Sequence, residues 1–157
     1  MPPMQSPRSG MAMVSYRGMI VAIGGFDGAN VLSSVEVYDM SRECWVEVAS
    51  LTCPRFTHAA AVVGTTLYVF GGCTGSSILD TVECLDLTRL LRGASWEQVP
   101  ELSMPEPRLG LSVVAADSLL YVLGGYNQES GHLSSVDCVD LNTLQWISLA
   151  PMGTKRS

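Results

Sequence analysis

The chain has 157 residues, 47% of them hydrophobic and only 15% charged, with 9 Lys and Arg against 15 Asp and Glu and a formal net charge of −6. That balance excludes the basic stripe on which nucleic-acid binding depends and disfavours anionic membrane surfaces. No run reaches the roughly 20 apolar residues of a membrane span, and the first ten residues lack the regions of a secretory signal, so a cytoplasmic location is expected.

Read in chain order, the sequence repeats itself. Pro7-Arg8 opens a first unit with hydrophobic runs at 11–15, 19–23, 34–39 and 45–48; the second run ends at Gly24-Gly25, the third at Asp39, and the fourth opens on Trp45. Pro54-Arg55 opens a second unit with runs at 58–63, 67–70, 81–85 and 96–99, marked by Gly71-Gly72, Asp86 and Trp96. Pro107-Arg108 opens a third, with runs at 111–115, 119–123, 136–141 and 146–149 around Gly124-Gly125, Asp140 and Trp146. From arginine to first glycine the step is always 16 residues (8 to 24, 55 to 71, 108 to 124). A period near fifty residues marks a solenoid, propeller or array. The boundaries this gives are 1–50, 51–103, 104–151 and, at 152–157, the start of a further repeat, since Arg156-Ser157 echoes Arg8-Ser9.

Four short runs per unit, rich in β-branched and aromatic residues and separated by turn residues, predict a four-stranded antiparallel sheet. The second run of each unit is apolar without alternation, as in Ile20-Val21-Ala22-Ile23, which predicts a strand covered on both faces. The third runs alternate, with Glu36, Glu83 and Asp137 on one side, so one face is expected to be more polar. The glycine pairs allow a sharp turn and close packing against a neighbouring sheet. The three tryptophans are expected to fill the wedge between sheets. From Asp to Trp the interval is 6 residues in the first and third units (39 to 45, 140 to 146) but 10 in the second (86 to 96), placing an insertion near 88–95 in the loop between the outer strands.

These markers together resemble kelch repeats: the Pro-Arg start, the apolar strand into Gly-Gly, the Val35-Glu36-Val37-Tyr38-Asp39 segment and the tryptophan that follows. The resemblance implies an all-β chain of three four-stranded blades of a kelch β-propeller. Closure generally takes four or more blades, so the expectation is half of a six-bladed ring with two open sides, a piece that on its own is marginally stable or self-associates. The alternatives are an incomplete gene product and closure against a second copy.

The resemblance is greatest to the Kelch-like group, whose propellers serve as substrate-recognition parts of adaptors for cullin-RING ubiquitin ligases. It implies a non-catalytic protein-binding module, with cullin reached only through a BTB domain that these residues do not contain. An actin- or cytoskeleton-binding scaffold without ubiquitin chemistry is the alternative. In related propellers the channel mouth is lined by the loops before each inner strand and after each Gly-Gly pair. Carried onto this chain, those positions are Arg8, Ser9, Phe26, Asp27, Asn30, Arg55, Thr57, Arg108, Tyr126, Asn127 and Arg156. Repeated arginines at one mouth would suit an acidic peptide, because the guanidinium fork pairs with carboxylates. The other reading is that each arginine ties blades together through carbonyls or through acidic side chains such as Glu36 and Glu83. Phe26 and Tyr126 are expected as exposed anchors.

Catalysis, a cofactor and a metal site are not expected. Two histidines, His58 and His132, form no nucleophilic constellation, and the Gly-Gly pairs are not the G-x-G-x-x-G that opens a nucleotide-binding helix. Asp39, Asp86 and Asp140 fall on different blades and are expected to accept N–H bonds in turns. The five cysteines have no metal spacing; Cys84 and Cys138 are expected to pack as small hydrophobes, and Cys73 to lie exposed in a loop.

Overall fold

The computed structural model describes residues 2–157. The first sheet consists of β1 (Ala12–Tyr16), β2 (Met19–Ile23), β3 (Val35–Asp39) and β4 (Cys44–Val48). The second comprises β5 (Ala59–Val63), β6 (Thr66–Phe70), β7 (Val82–Asp86) and the short β8 (Glu97–Gln98). The third has β9 (Ser112–Ala116), β10 (Leu119–Leu123), β13 (Val136–Asp140) and β14 (Gln145–Leu149), with a small hairpin of β11 (Tyr126–Asn127) and β12 (Gly131–His132) in its loop. Each four-stranded sheet is antiparallel with its strands in chain order. Strands lie within a residue or two of the predicted runs, because turn residues punctuate every hairpin.

The first strands β1, β5 and β9 lie side by side in succession, so the sheets converge at their inner edges and spread outward like blades. Two apolar seams hold them together. Val21, Ile23, Val35 and Val37 of the first sheet meet Leu67, Val69 and Leu85 of the second, all at 0–1% exposure. Phe70 and Val82 on the second sheet's other face meet Leu120, Val122 and Val139 of the third. A strand that serves a seam on one face and its own blade's packing on the other has no solvent side, which is why β2 carries no alternation.

Trp96 and Trp146 sit at blade boundaries as expected, whereas Trp45 lies on the first blade's outer face and fills no wedge between sheets. Trp96 is buried in the first seam and donates its Nε1–H to the Ala49 carbonyl of the first blade, 2.9 Å away. Trp146 stands edge-on to Phe70 of the second blade, with ring centroids 6.5 Å apart. Trp45 packs on Tyr38 and donates to the Pro2 carbonyl at 3.1 Å.

The second repeat's insertion is more than a lengthened loop. Leu87–Arg92 forms a two-turn 3-10 helix, started by Asp86 accepting from the Thr88 N–H and stopped at Gly93 in the left-handed region. Its Leu87 and Leu90 are buried in the first seam, while Leu91 is 45% exposed. The aspartates act as expected: Oδ1 of Asp39, Asp86 and Asp140 accepts backbone N–H bonds from Ser41, Thr88 and Asn142.

Two expectations are corrected. Glu36, Glu83 and Asp137 do not face a polar surface; they are 1%, 0% and 4% exposed, each spent on an arginine. Cys73 is buried, its Sγ accepting from the Gly75 N–H, because the backbone after Gly72 turns inward to pair with Phe56 on one side and Ile78 on the other.

Candidate functional site: the loop end of the sheets

The segment before each first strand and the loop after each glycine pair meet at one end of the molecule. In the first blade Ser9 bridges Phe26 and Phe26 bridges Val31; in the second Phe56 bridges Cys73 and Cys73 bridges Ile78; in the third Leu109 bridges Tyr126, which pairs with His132. Each glycine pair permits this. Gly71 has φ +60°, and a Cβ there would stand 2.5 Å from the Arg108 carbonyl, so only glycine lets the next repeat's opening segment cross so closely.

The arginines hold this end from within. Arg55 is 0% exposed: Nη1 donates to the Gly71 carbonyl at 2.9 Å, and Nη2 pairs with Glu83 at 2.6 Å. Its own carbonyl accepts from the Gly25 N–H of the preceding blade at 2.9 Å, and its N–H donates to the Leu32 carbonyl at 3.2 Å. Side chain to one blade and backbone to the other, Arg55 ties the two. Arg8 repeats the side-chain pattern with Gly24 and Glu36. Glu36 also accepts from the N–H groups of Gln5 and Ser6. Burial raises its pKa, but those bonds and Arg8 outweigh the rise and hold the carboxyl below its usual range.

Arg108 shows a variation. The third repeat has Asp137 where the others have glutamate, and a second carboxylate joins it: Arg108 Nη2 pairs with Asp137 at 2.7 Å and with Glu106 at 2.9 Å. Glu106 also accepts from Asn127 Nδ2 at 2.7 Å and keeps 34% of its side chain exposed.

The expected mouth is therefore brought together, but several of its side chains are not offered to it. Arg55 and Arg108 are buried and Arg8's side chain is 1% exposed, so the expectation of an arginine-lined receptor for acidic peptides is corrected: these guanidiniums are spent inside the fold. Asn127 is also corrected, being 4% exposed, with Oδ1 accepting from the Ser130 N–H. Ser9 and Asn30 are exposed, Asp27 and Tyr126 half-buried. Asp27 caps its own loop by accepting from the Ala29 and Asn30 N–H groups, which lowers its pKa. Arg156 is exposed; its carbonyl accepts from the Gly125 N–H at 2.8 Å, as Arg55 does from Gly25.

Thr57 links all three repeats. Its N–H donates to the Gly10 carbonyl at 2.7 Å and its carbonyl accepts from the Gly110 N–H at 2.8 Å. Gly10 and Gly110 occupy the equivalent positions at φ +59° and +63°, and Thr57 adopts +51° in line with them, an uncommon conformation for a β-branched residue.

Sequence reasoning missed Phe56. It lies half-buried across the blade boundary from Phe26, ring centroids 6.1 Å apart, and the repeated arginine beside it drew the attention. The sequence assigns His58 no role. It is buried where the other repeats place Met11 and Leu111, neither ring nitrogen has a partner, and burial first, then Arg55, pushes its pKa down to about 3. A neutral imidazole packed this way is core, not chemistry.

A family model for the KLHDC2/KLHL20/DRC7 Kelch-repeats domain matches residues 2–157. Among curated relatives, Kelch-like protein 26 of Danio rerio is 31% identical over 99% of this chain and 25% of its own length. Kelch-like protein 7 of Mus musculus is 35% identical over 80% of this chain and 20% of its own. Beta-scruin of Limulus polyphemus is 31% identical over 98% of this chain and 18% of its own. The chain thus spans between 18% and 25% of these three relatives' lengths. With the repeated markers, the bladed sheets and a match over nearly every residue, the chain belongs to the kelch-repeat family.

Proposed function

We propose that this chain is the target-recognition part of a Kelch-like adaptor for a cullin-RING ubiquitin ligase, non-catalytic in itself, and that its loop end holds the target. The observation that carries the reading is the convergence of equivalent loops at one end of a rigid frame, with Phe26 and Phe56 half-buried together across a blade boundary. Loops on a fixed scaffold are where recognition residues sit, and paired aromatics are the usual energetic anchors. The Kelch-like relatives support the ligase context. The scruin match, at 31% identity against 31% and 35% for the two Kelch-like proteins, supports no such context, so the second reading is the cytoskeletal scaffold that the kelch resemblance also implies. Cullin contact falls to a BTB domain outside this segment, and the site of action is taken as cytoplasmic.

The test uses the full-length protein. Affinity purification should recover a cullin, and replacing Phe26 and Phe56 by Ala should leave cullin recovery unchanged while target capture and target ubiquitination fall at least tenfold. Co-sedimentation with filamentous actin, without cullin, would overturn the ligase reading in favour of the scaffold.

A further inference from the structure

At the loop end, between the second and third blades, lies a cleft of about 420 Å³. One wall is the Ser76–Ile78 turn of the second blade; the other is Pro105, Glu106 and Pro107, with Asn127 to Glu129 closing the far side. Glu106 is its fixed element. Arg108 holds one carboxylate oxygen and Asn127 the other, at 2.9 and 2.7 Å, and a third of the side chain stays open. The equivalent positions in the other repeats are Ser6 and Cys53, so this carboxylate is peculiar to the second seam.

Charge decides what fits. Arg108 carries one positive charge against two carboxylates, Asp137 and Glu106, which leaves one negative charge in excess; Glu129, exposed on the lining, adds a second. No basic side chain lines the cleft among the described residues. An anion entering would meet two uncompensated carboxylates, whereas a cation would complete the balance. Each carboxylate oxygen has a lone pair beyond the bond it already accepts, and Ile78, Pro105 and Pro107 offer apolar surface to a long aliphatic stem.

We propose that this cleft binds a basic side chain, arginine or lysine, of a protein target, with Glu106 as its principal anchor and Glu129 as a second. The proposal rests on the loop end being the recognition surface and reverses the charge preference that the sequence suggests.

The experiment titrates the chain with a capped Ser-Arg-Ser-Arg-Ser peptide, with its lysine counterpart and with its glutamate counterpart, while amide spectra report on the Asn127 side chain and Gln128. The basic peptides should bind and shift those signals, the glutamate peptide should not, and binding should weaken with salt. Glu106→Gln should weaken binding at least tenfold. Glu129→Gln, a change to a side chain with no role in the fold, should weaken it a few-fold, and thermal unfolding confirms that each variant is folded. Equal binding to wild type and both variants, or shifts confined to other blades, overturns the proposal. Target capture lost with Phe26 and Phe56 replaced but intact in Glu106→Gln would also overturn the cleft, and would leave the recognition reading standing.

Discussion

Arg55 keeps its charge at 0% exposure because both of its Nη groups are partnered, while its Nε is buried without a partner. Glu83 neutralises it at 2.6 Å, carbonyls of its own blade take the remaining Nη1 bonds, and Glu83 in turn accepts from the Thr52 N–H at 2.7 Å. Removing one partner of such a pair strands the other in a dry seam. Arg55→Ala is therefore expected to destabilise by about 3–5 kcal/mol, read as a shifted urea midpoint, whereas Arg156→Ala, at an exposed side chain, should change it by less than about 0.5 kcal/mol. His58 carries a second prediction. Its folded pKa of about 3 lies below the ordinary 6.5, so between those values the unfolded chain binds the extra proton and stability falls as pH falls. The slope approaches about 1.4 kcal/mol per pH unit below 6.5. His58→Leu, which restores the apolar side chain that Met11 and Leu111 provide elsewhere, should flatten the stability curve between pH 6.5 and 5. An unchanged slope in denaturant titrations across that window would show that the imidazole titrates freely. Glu36, with its lowered pKa, adds acid sensitivity only below about 4.5, so the two effects separate.

Elements were legible in the sequence wherever a turn residue stood beside a hydrophobic run, and much less so where tertiary contacts chose the conformation. All twelve blade strands follow from punctuation and β-branched runs, but β8 shrinks to Glu97–Gln98 because the preceding residues are drawn into the seam by Trp96. The arginines show the limit at the site. Their period was plain, yet whether they faced a partner or the interior depended on carboxylates about 28 residues onward in the same repeat, and spacing alone does not tell a buried partner from a solvent-facing one. The insertion was visible as four extra residues between Asp86 and Trp96, while its helical form came from Leu87 and Leu90 finding the first seam three residues apart, as a 3-10 turn permits. That pairing predicts an asymmetry between neighbours. Leu90→Ala, at 4% exposure, should cost about 2–4 kcal/mol, and Leu91→Ala, at 45%, under about 1 kcal/mol. Equal costs in parallel unfolding experiments would mean that the insertion hangs on the blade instead of filling it.

Across the whole molecule, the two seams leave two outer faces of different character. The first blade's outer face packs Ala22, Tyr38 and Trp45 with Met4 laid against them. The third blade has no such cover. Val114, Tyr121, Cys138 and Ile147 stand opposite one another across β9, β10, β13 and β14 in a single row, and Val114, Ile147 and Leu149 are 55%, 58% and 42% exposed. Cys138 within the row is buried and Tyr121 half-buried, but the exposed Val114, Ile147 and Leu149 leave apolar surface on this face, and such surface drives association because burying it returns about 25 cal/mol per Å². The 157-residue chain is accordingly expected to associate reversibly as its concentration rises. Replacing Val114 and Ile147 by Lys should shift it toward monomer in sedimentation equilibrium. Neither residue contributes to a seam, so the unfolding midpoint should move by no more than about 1 kcal/mol in free energy. If the double variant instead unfolded early while the parent stayed monomeric at every concentration, the row would be part of the third blade's own packing, and the second seam alone would not account for that blade's stability.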